Sequence, residues 1–373
     1  MRTCVLGLSF AVAAALTAHC SLTTSPGDYS SQYLTPQIAE TPSHVLVVAG
    51  QRDKLMASEG ADVRASDVWT ARIRADGSIV EWSAAPSAPL LENAGEAVPV
   101  GGNLYVPGLE ASANYGDHLG ISWIPLAGDA LGTSWAVTFA EKSVHFGAAQ
   151  VLLPRGLVTL GGSEVGGSGL NFFNDVWFSA LNESQKTFSP RVDTGIKLVK
   201  ARTNAEAFAY KNFVYVIGGL TSDESKSASV EVSVSGDQGL SPFEETTPLK
   251  DPGTGQPYQV ENFTVCAADG SLYVIGGSPI GAPVDVVLMS RIDESNGKLG
   301  PWQATTKLPG GRAGAGCFVA HGKLYVLGGK GTTERSASVM WAPILPDGLL
   351  GAWDAQSSAP LPAARSQIAA TVY

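Results

Sequence analysis

Leu308–Gly329 reads LPGGRAGAGCFVAHGKLYVLGG, and its reading decides the fold. A tight turn carrying Arg312 leads into a run of small and apolar residues. A polar turn follows, and then a second strand, Lys323–Leu327, that ends on Gly328-Gly329. The second half returns as KNFVYVIGG ending at Gly219, GSLYVIGG ending at Gly277 and GLVTLGG ending at Gly162. GNLYVPGL, with Gly108, and HVLVVAGQ, with Gly50, are weaker copies. The first glycines of the six copies stand at Gly50, Gly108, Gly161, Gly218, Gly276 and Gly328, in steps of 52 to 58 residues. A repeat at that spacing means that each copy is one supersecondary unit whose hydrophobic face is covered by its neighbours.

After each glycine position come two further strand patterns around a tight turn. The first copy shows Asp67–Ile73 and Ile79–Trp82 flanking Asp76-Gly77, a strong hairpin signal. The later copies place Gly128-Asp129, Asn182-Glu183, Gly236-Asp237, Asn296-Gly297 and Asp347-Gly348 there. Each then reaches a large aromatic: Trp82, Trp135, Phe188, Phe243, Trp302 or Trp353. Four strands per copy with one aromatic in a fixed place describe a propeller blade. Small residues such as Ala148-Ala149, Ala313–Gly316 and Ala369-Ala370 suit innermost strands, which crowd at the axis, and the aromatics supply bulk where blades diverge. Leu361–Arg365 repeats Leu308–Arg312, but the second strand that should follow is the one at His44–Gly50. One blade is therefore expected to be shared between the two ends of the repeat region, which leaves no open sheet edge.

Composition agrees. Of 373 residues 44% are hydrophobic and 16% charged, with 43 glycines and 22 prolines, as in an all-β protein rich in turns. The formal net charge of −10 argues against a sequence-independent grip on nucleic acid or anionic lipid. Residues 1–20 carry one early arginine and the apolar run Val5–Ala18, too short to span a bilayer comfortably, and read as an export signal. Cys20, after Leu16-Thr17-Ala18-His19, resembles a bacterial lipoprotein cleavage site, although His19 departs from the small residue usual there. Lipidation at Cys20 and ordinary signal cleavage both stay open. Residues 21–43, rich in Ser, Thr and Pro, read as a tether, and residues 44–373 as the repeat domain. Superposing the copies sets Cys266 opposite Phe318 and Cys317 opposite Val265, one position out of step. Neighbouring strand positions point to opposite faces, so the two read as buried free thiols.

These features resemble the six-bladed kelch-repeat propeller family over residues 44–373, through the Leu-Tyr-Val-x-Gly-Gly strands, the Leu-Pro-x-x-Arg turns and the downstream Trp. The resemblance implies a six-bladed all-β propeller of four-stranded antiparallel blades. Gln51 and Leu109 depart from the second glycine, and Asp251–Pro257 is a Gly/Pro-rich insertion. Chemistry is harder to find. No His pair, P-loop or nucleophile elbow occurs, and His44, His118, His145 and His321 are scattered. A copper-radical site of the galactose-oxidase kind lacks its cysteine partner arrangement, and Ser235–Gly239 matches a sialidase box only once. Asp293–Asn296 reads as a turn, and Gly161–Gly169 as a mobile surface loop. No cofactor and no metal are expected.

One constellation remains. Sixteen residues before the first glycine of successive copies lie Glu92, His145, Arg202, Val260 and Arg312, with Arg365 in the corresponding turn of the shared blade. The resemblance places this turn around the central channel, which makes Arg202, Arg312, Arg365, His145 and Glu92 the candidate ligand-binding residues. Glu96 and Glu206, four residues on, are candidate ion-pair partners for the arginines. The expectation is an exported, monomeric binding or scaffold module of the bacterial cell envelope, periplasmic or surface-anchored, that meets a protein or acidic glycan. Its only membrane contact would be a lipid anchor. The alternative implied by the resemblance is a carbohydrate-active enzyme of the sialic-acid mutarotase type.

Overall fold

The structure, a computed structural model, describes residues 44–48, 51–53, 62–64, 66–88, 97–110, 118–127, 130–142, 145–166, 169–222, 226–279 and 281–373. Residues 1–43, with Cys20, and Glu92 and Glu96 lie outside the described residues. All regular structure among the described residues is strand, arranged as a six-bladed β-propeller. Blade 1 joins the two ends of the domain: Ala369–Val372 is its inner strand, followed outward by His44–Val48, Val68–Ile73 and Ile79–Ala85. Val45 pairs with Val372 and Val48 with Ala369, so the ring is closed by antiparallel pairing, as the repeat phase predicts. The second strands of the other blades are Asn103–Glu110, Gly156–Leu160, Phe213–Ile217, Ser271–Ile275 and Lys323–Leu327. In the last four of these, at least four residues in succession are buried, as expected of strands covered on both faces.

The core lies between blades. One apolar cluster draws Tyr273, Ile275 and Met289 from blade 5 and Leu324, Val326 and Met340 from blade 6. Another draws Tyr325 and Leu327 from blade 6 and Val45, Trp69 and Val372 from blade 1. Tyrosines of the repeated strand fasten these seams. Tyr215 Oη donates to Gly297 O of the next blade at 2.8 Å, Tyr273 Oη to Gly348 O at 2.7 Å, and Tyr325 Oη to Gly77 O at 2.8 Å, across the ends of the chain. Each acceptor is the turn glycine of a hairpin, with φ of 76°, 81° and 90°, a conformation that favours glycine. A Cβ on Gly297 would also lie 2.5 Å from Phe213 Cδ1. Tryptophans of the aromatic row fasten the same three seams, the indole N–H of Trp82, Trp302 and Trp353 donating to Ala359, Thr247 and Thr306 O at 3.0–3.1 Å, and Trp135 fastens the seam of blades 1 and 2, donating to Pro86 O at 2.8 Å.

Two expectations are corrected. Cys266 and Cys317 form a disulfide, with Cα atoms 6.3 Å apart. They do point to opposite faces of their own sheets. Cys266 pairs across its blade with Tyr273, and Cys317 across its own with Val326. Blades 5 and 6, however, stack the Tyr273 face of one on the Val326 face of the other, so opposite faces are the ones that meet. Residues of the Gly161–Gly169 run, read as a loop, instead enter a two-stranded ribbon, Ser163–Gly166 with Gly169–Phe172.

The seams are not equal. Tyr105 Oη, buried between blades 2 and 3, has no hydrogen-bond partner among the described residues. The turn it faces carries Lys186, with φ of 55°, where blade 5 has Gly297. Tyr325→Phe is therefore expected to cost about 1–3 kcal/mol, because it strands the buried Gly77 carbonyl, while Tyr105→Phe should be neutral or stabilising. Urea midpoints of the two variants check this. Burial also pushes the Tyr273 hydroxyl up to about 12. Its contribution is complete below the ordinary tyrosine value near 10 and is lost as pH climbs from there toward 12, since the unfolded chain gives up the proton first. Unfolding temperature measured across that alkaline range should fall less steeply in Tyr273→Phe.

Candidate functional site

The inner strands of blades 3 to 6 and 1 surround a channel of about 570 Å³. Its mouth is built from the turns that precede those strands. Two residues after each arginine position the chain turns left-handed, at Gly147 (φ 62°), Asn204 (53°), Asn262 (53°), Gly314 (59°) and Gln367 (53°). This conformation directs main-chain groups to the neighbouring blade. Asn204 N donates to Gly147 O, Gly314 N to Asn262 O and Gln367 N to Gly314 O, each at 2.7 Å. The side chains of Asn204, Asn262 and Gln367 consequently stand as a carboxamide collar at the mouth, with Gln367 Nε2 donating to Asn262 Oδ1 at 3.3 Å. Glu206 and Glu261 line the same channel, and Glu261 pairs with Lys226 Nζ at 3.0 Å. Exposed amides beside carboxylates supply donors and acceptors in alternation, which suits a polar ligand.

The arginines stand behind this collar, on the side of their own blades. Arg202 is 1% exposed. It forms an ion pair with Glu231 and donates to Gly218 O and Ser229 Oγ at 2.9 Å. Glu231 in turn accepts the main-chain N–H of Val199 at 2.8 Å and Lys200 at 3.0 Å. Arg365 pairs with Asp67 and lies over the Trp69 ring, 4.9 Å from its centroid.

Arg312 differs. It keeps the serine contact, Nη2 to Ser338 Oγ at 3.3 Å, and donates through Nη1 to Gly311 O at 3.1 Å. Ser229 and Ser338 are equivalent, since their carbonyls accept the N–H of Gly218 and Gly328 respectively. One and two positions on, blade 4 has Val230 and Glu231, and blade 6 has Val339 and Met340. Blade 6 thus builds the seat without the carboxylate, and Arg312 Nε is buried with no partner among the described residues. Burial with no compensating charge draws the Arg312 pKa below its ordinary value.

His145 is half-buried, stacked on Phe173 with ring centroids 3.7 Å apart. Its Nδ1 lies 3.2 Å from Gly161 O, to which it can only donate, and its Nε2 lies 3.6 Å from Glu164 Oε1. Val260, at the same repeat position, is buried in the core. The contacts given above for Arg202, Arg312, Arg365 and His145 each fall within that residue's own blade. The collar residues escaped the sequence reading, yet their signal was present. Gly147, Asn204, Asn262, Gly314 and Gln367 recur in register, and alternation of Gly with Asn marks a left-handed position. Among the described residues no three His, Cys, Asp or Glu side chains converge as a metal site needs.

No family model and no curated protein matches the chain. Among solved structures, that of YjhT is similar, with 14% identity over 76% of this chain and 88% of that one and a TM-score of 0.55. At that identity the likeness speaks for the fold alone.

The two kinds of arginine should separate in stability. Glu231→Ala leaves the Arg202 guanidinium buried without its counter-charge and is expected to cost about 3–5 kcal/mol. Arg312→Met, which removes a half-buried cation that has no carboxylate, should cost less than about 1 kcal/mol. Equilibrium urea denaturation of both variants makes the comparison.

Proposed function

We propose that this chain is a kelch-type, non-catalytic binding module that recognises a partner through the mouth face of the propeller. The partner presents a carboxylate, from an acidic protein segment or an acidic glycan. The observation that carries this reading is Arg312, seated like Arg202 but without the Glu231 of blade 4. A planar fork with unused donors binds carboxylate in two-point fashion. The collar of Asn204, Asn262 and Gln367 adds uncharged hydrogen-bonding groups around it. Arg202 and Arg365, already paired, hold the rim rigid.

A second reading, a carbohydrate-active enzyme of the sialic-acid mutarotase type, draws support from Glu206 and Glu261 lining the channel beside the amides. His145, stacked on Phe173 and hydrogen-bonded to Gly161, is poorly placed to move a proton for it. Export fits the disulfide Cys266–Cys317, because such bonds persist in oxidising compartments. A lipid on Cys20 would tie the module to the cell envelope.

Pull-down from the native envelope, with a glycan array on the same protein, identifies the partner. Arg312→Ala should weaken its binding about tenfold or more with the urea midpoint unchanged, and wild-type affinity should fall as salt is added. Undiminished binding by Arg312→Ala would refute the mouth-face reading. Turnover of an acidic sugar, abolished by Glu206→Gln, would favour the enzyme.

A further inference from the structure

After its glycine pair blade 3 carries a two-stranded ribbon, an element that blade 1 also has in Gln51–Asp53 with Asp62–Arg64. After Gly162 the chain leaves the propeller body as the ribbon Ser163–Gly166 with Gly169–Phe172, paired Ser163 to Phe172, Glu164 to Asn171 and Val165 to Leu170. Ser163 exchanges both main-chain hydrogen bonds with Phe146, at 2.8 Å each. Its own N–H and C=O therefore point away from Phe172. Phe173 donates to Gly162 O at 2.9 Å, so that bonded pair sets the phase of the ladder, and Glu164 with Asn171 is the next bonded pair. Residues in an antiparallel strand turn their main-chain groups alternately to one neighbour and the other. Leu170 and Phe172 thus turn theirs to the outer edge of the ribbon, where no described residue receives them.

The side chains continue this account. Val165 and Leu170, opposite each other and so on one face, are 89% and 50% exposed. Glu164 and Asn171 share the other face, and Glu164 is the only ionisable group among the described residues of the ribbon. No Lys, Arg or Pro guards the edge, the devices by which open edges are usually blunted.

We propose that the outer edge Gly169–Phe172 is a strand-addition site for an extended polypeptide segment of apolar–basic–apolar pattern. Main-chain donors and acceptors in a row are matched by another main chain. Residues opposite Leu170 and Phe172 share the face of Val165 and Leu170, so apolar side chains there cover that exposed pair. The residue opposite Asn171 lies on the face of Glu164, two strands away, within reach of a Lys or Arg. The net charge of −10 steers the same sign of partner. This site is separate from the seat of Arg312 and prefers the opposite charge.

The test is fluorescence anisotropy of the protein with a labelled peptide of alternating Val and Lys. Binding is expected, and N-methylation of the peptide nitrogens that face Leu170 and Phe172 should weaken it about tenfold. Leu170→Pro removes an N–H that the ribbon's own ladder does not use and should weaken it about as much. Glu164→Lys should shift the preference to a peptide of alternating Val and Glu. Arg312→Ala should leave the affinity unchanged, which separates this site from the mouth. Absence of binding, equal binding of the N-methylated peptide, or loss on Arg312→Ala in place of Leu170→Pro would overturn the proposal; the N-methylated peptide tests it without touching the fold.

Discussion

A tyrosine hydroxyl donating to a glycine carbonyl sets how far apart neighbouring blades can stand. Tyr215, Tyr273 and Tyr325 make this bond in three successive seams, and the last of them spans the junction between the beginning and end of the domain. A ring has no slack. Each blade must present a flat apolar face to both neighbours and hold its hairpin turn where the next tyrosine can find it. The glycine at that turn follows from the same demand, because a side chain there would strike the neighbouring strand. The seam with Tyr105 shows the converse: a lysine at the turn coincides with a buried hydroxyl that has no hydrogen-bond partner among the described residues.

Charge inside this frame is used in two ways. Arg202 and Glu231 are both fully buried, and each is satisfied by further hydrogen bonds, the condition under which a buried pair holds its place. Such a pair contributes little net stability against an apolar substitute but fixes one arrangement of the turn beside the channel. Arg312 stands in the same scaffold without that closure. The difference between a strut and a seat is one residue, Glu231 against Met340. The collar in front of it relies on a second constraint, the left-handed turn, which costs an Asn less than most residues.

The architecture was legible because its signals repeat. Glycine pairs, hairpin turns and the aromatic row recur in phase, and chance rarely repeats a phase. The closure through Ala369–Val372 and His44–Val48 followed from the same phase. What superposing the copies could not show was anything that depends on how two blades face each other. Cys266 and Cys317 were set apart by comparing positions within one sheet, whereas their bond crosses between sheets. The arginine positions were visible, but their partners were not: Glu231 lies 29 residues after Arg202, and Asp67 lies 298 residues before Arg365. The ribbon of blade 3 has a counterpart in Gln51–Asp53 with Asp62–Arg64 of blade 1, but the two share no residue pattern by which comparing the copies could reveal them.

The inner strand Ala369–Val372 starts beside Gln367 at the mouth and runs down the channel to Tyr373, whose main chain bonds to His44. His44 and Tyr373 therefore lie side by side at the end of this strand away from the collar. A partner seated on the collar therefore meets neither His44 nor Tyr373, and the seam that closes the ring stays clear of it.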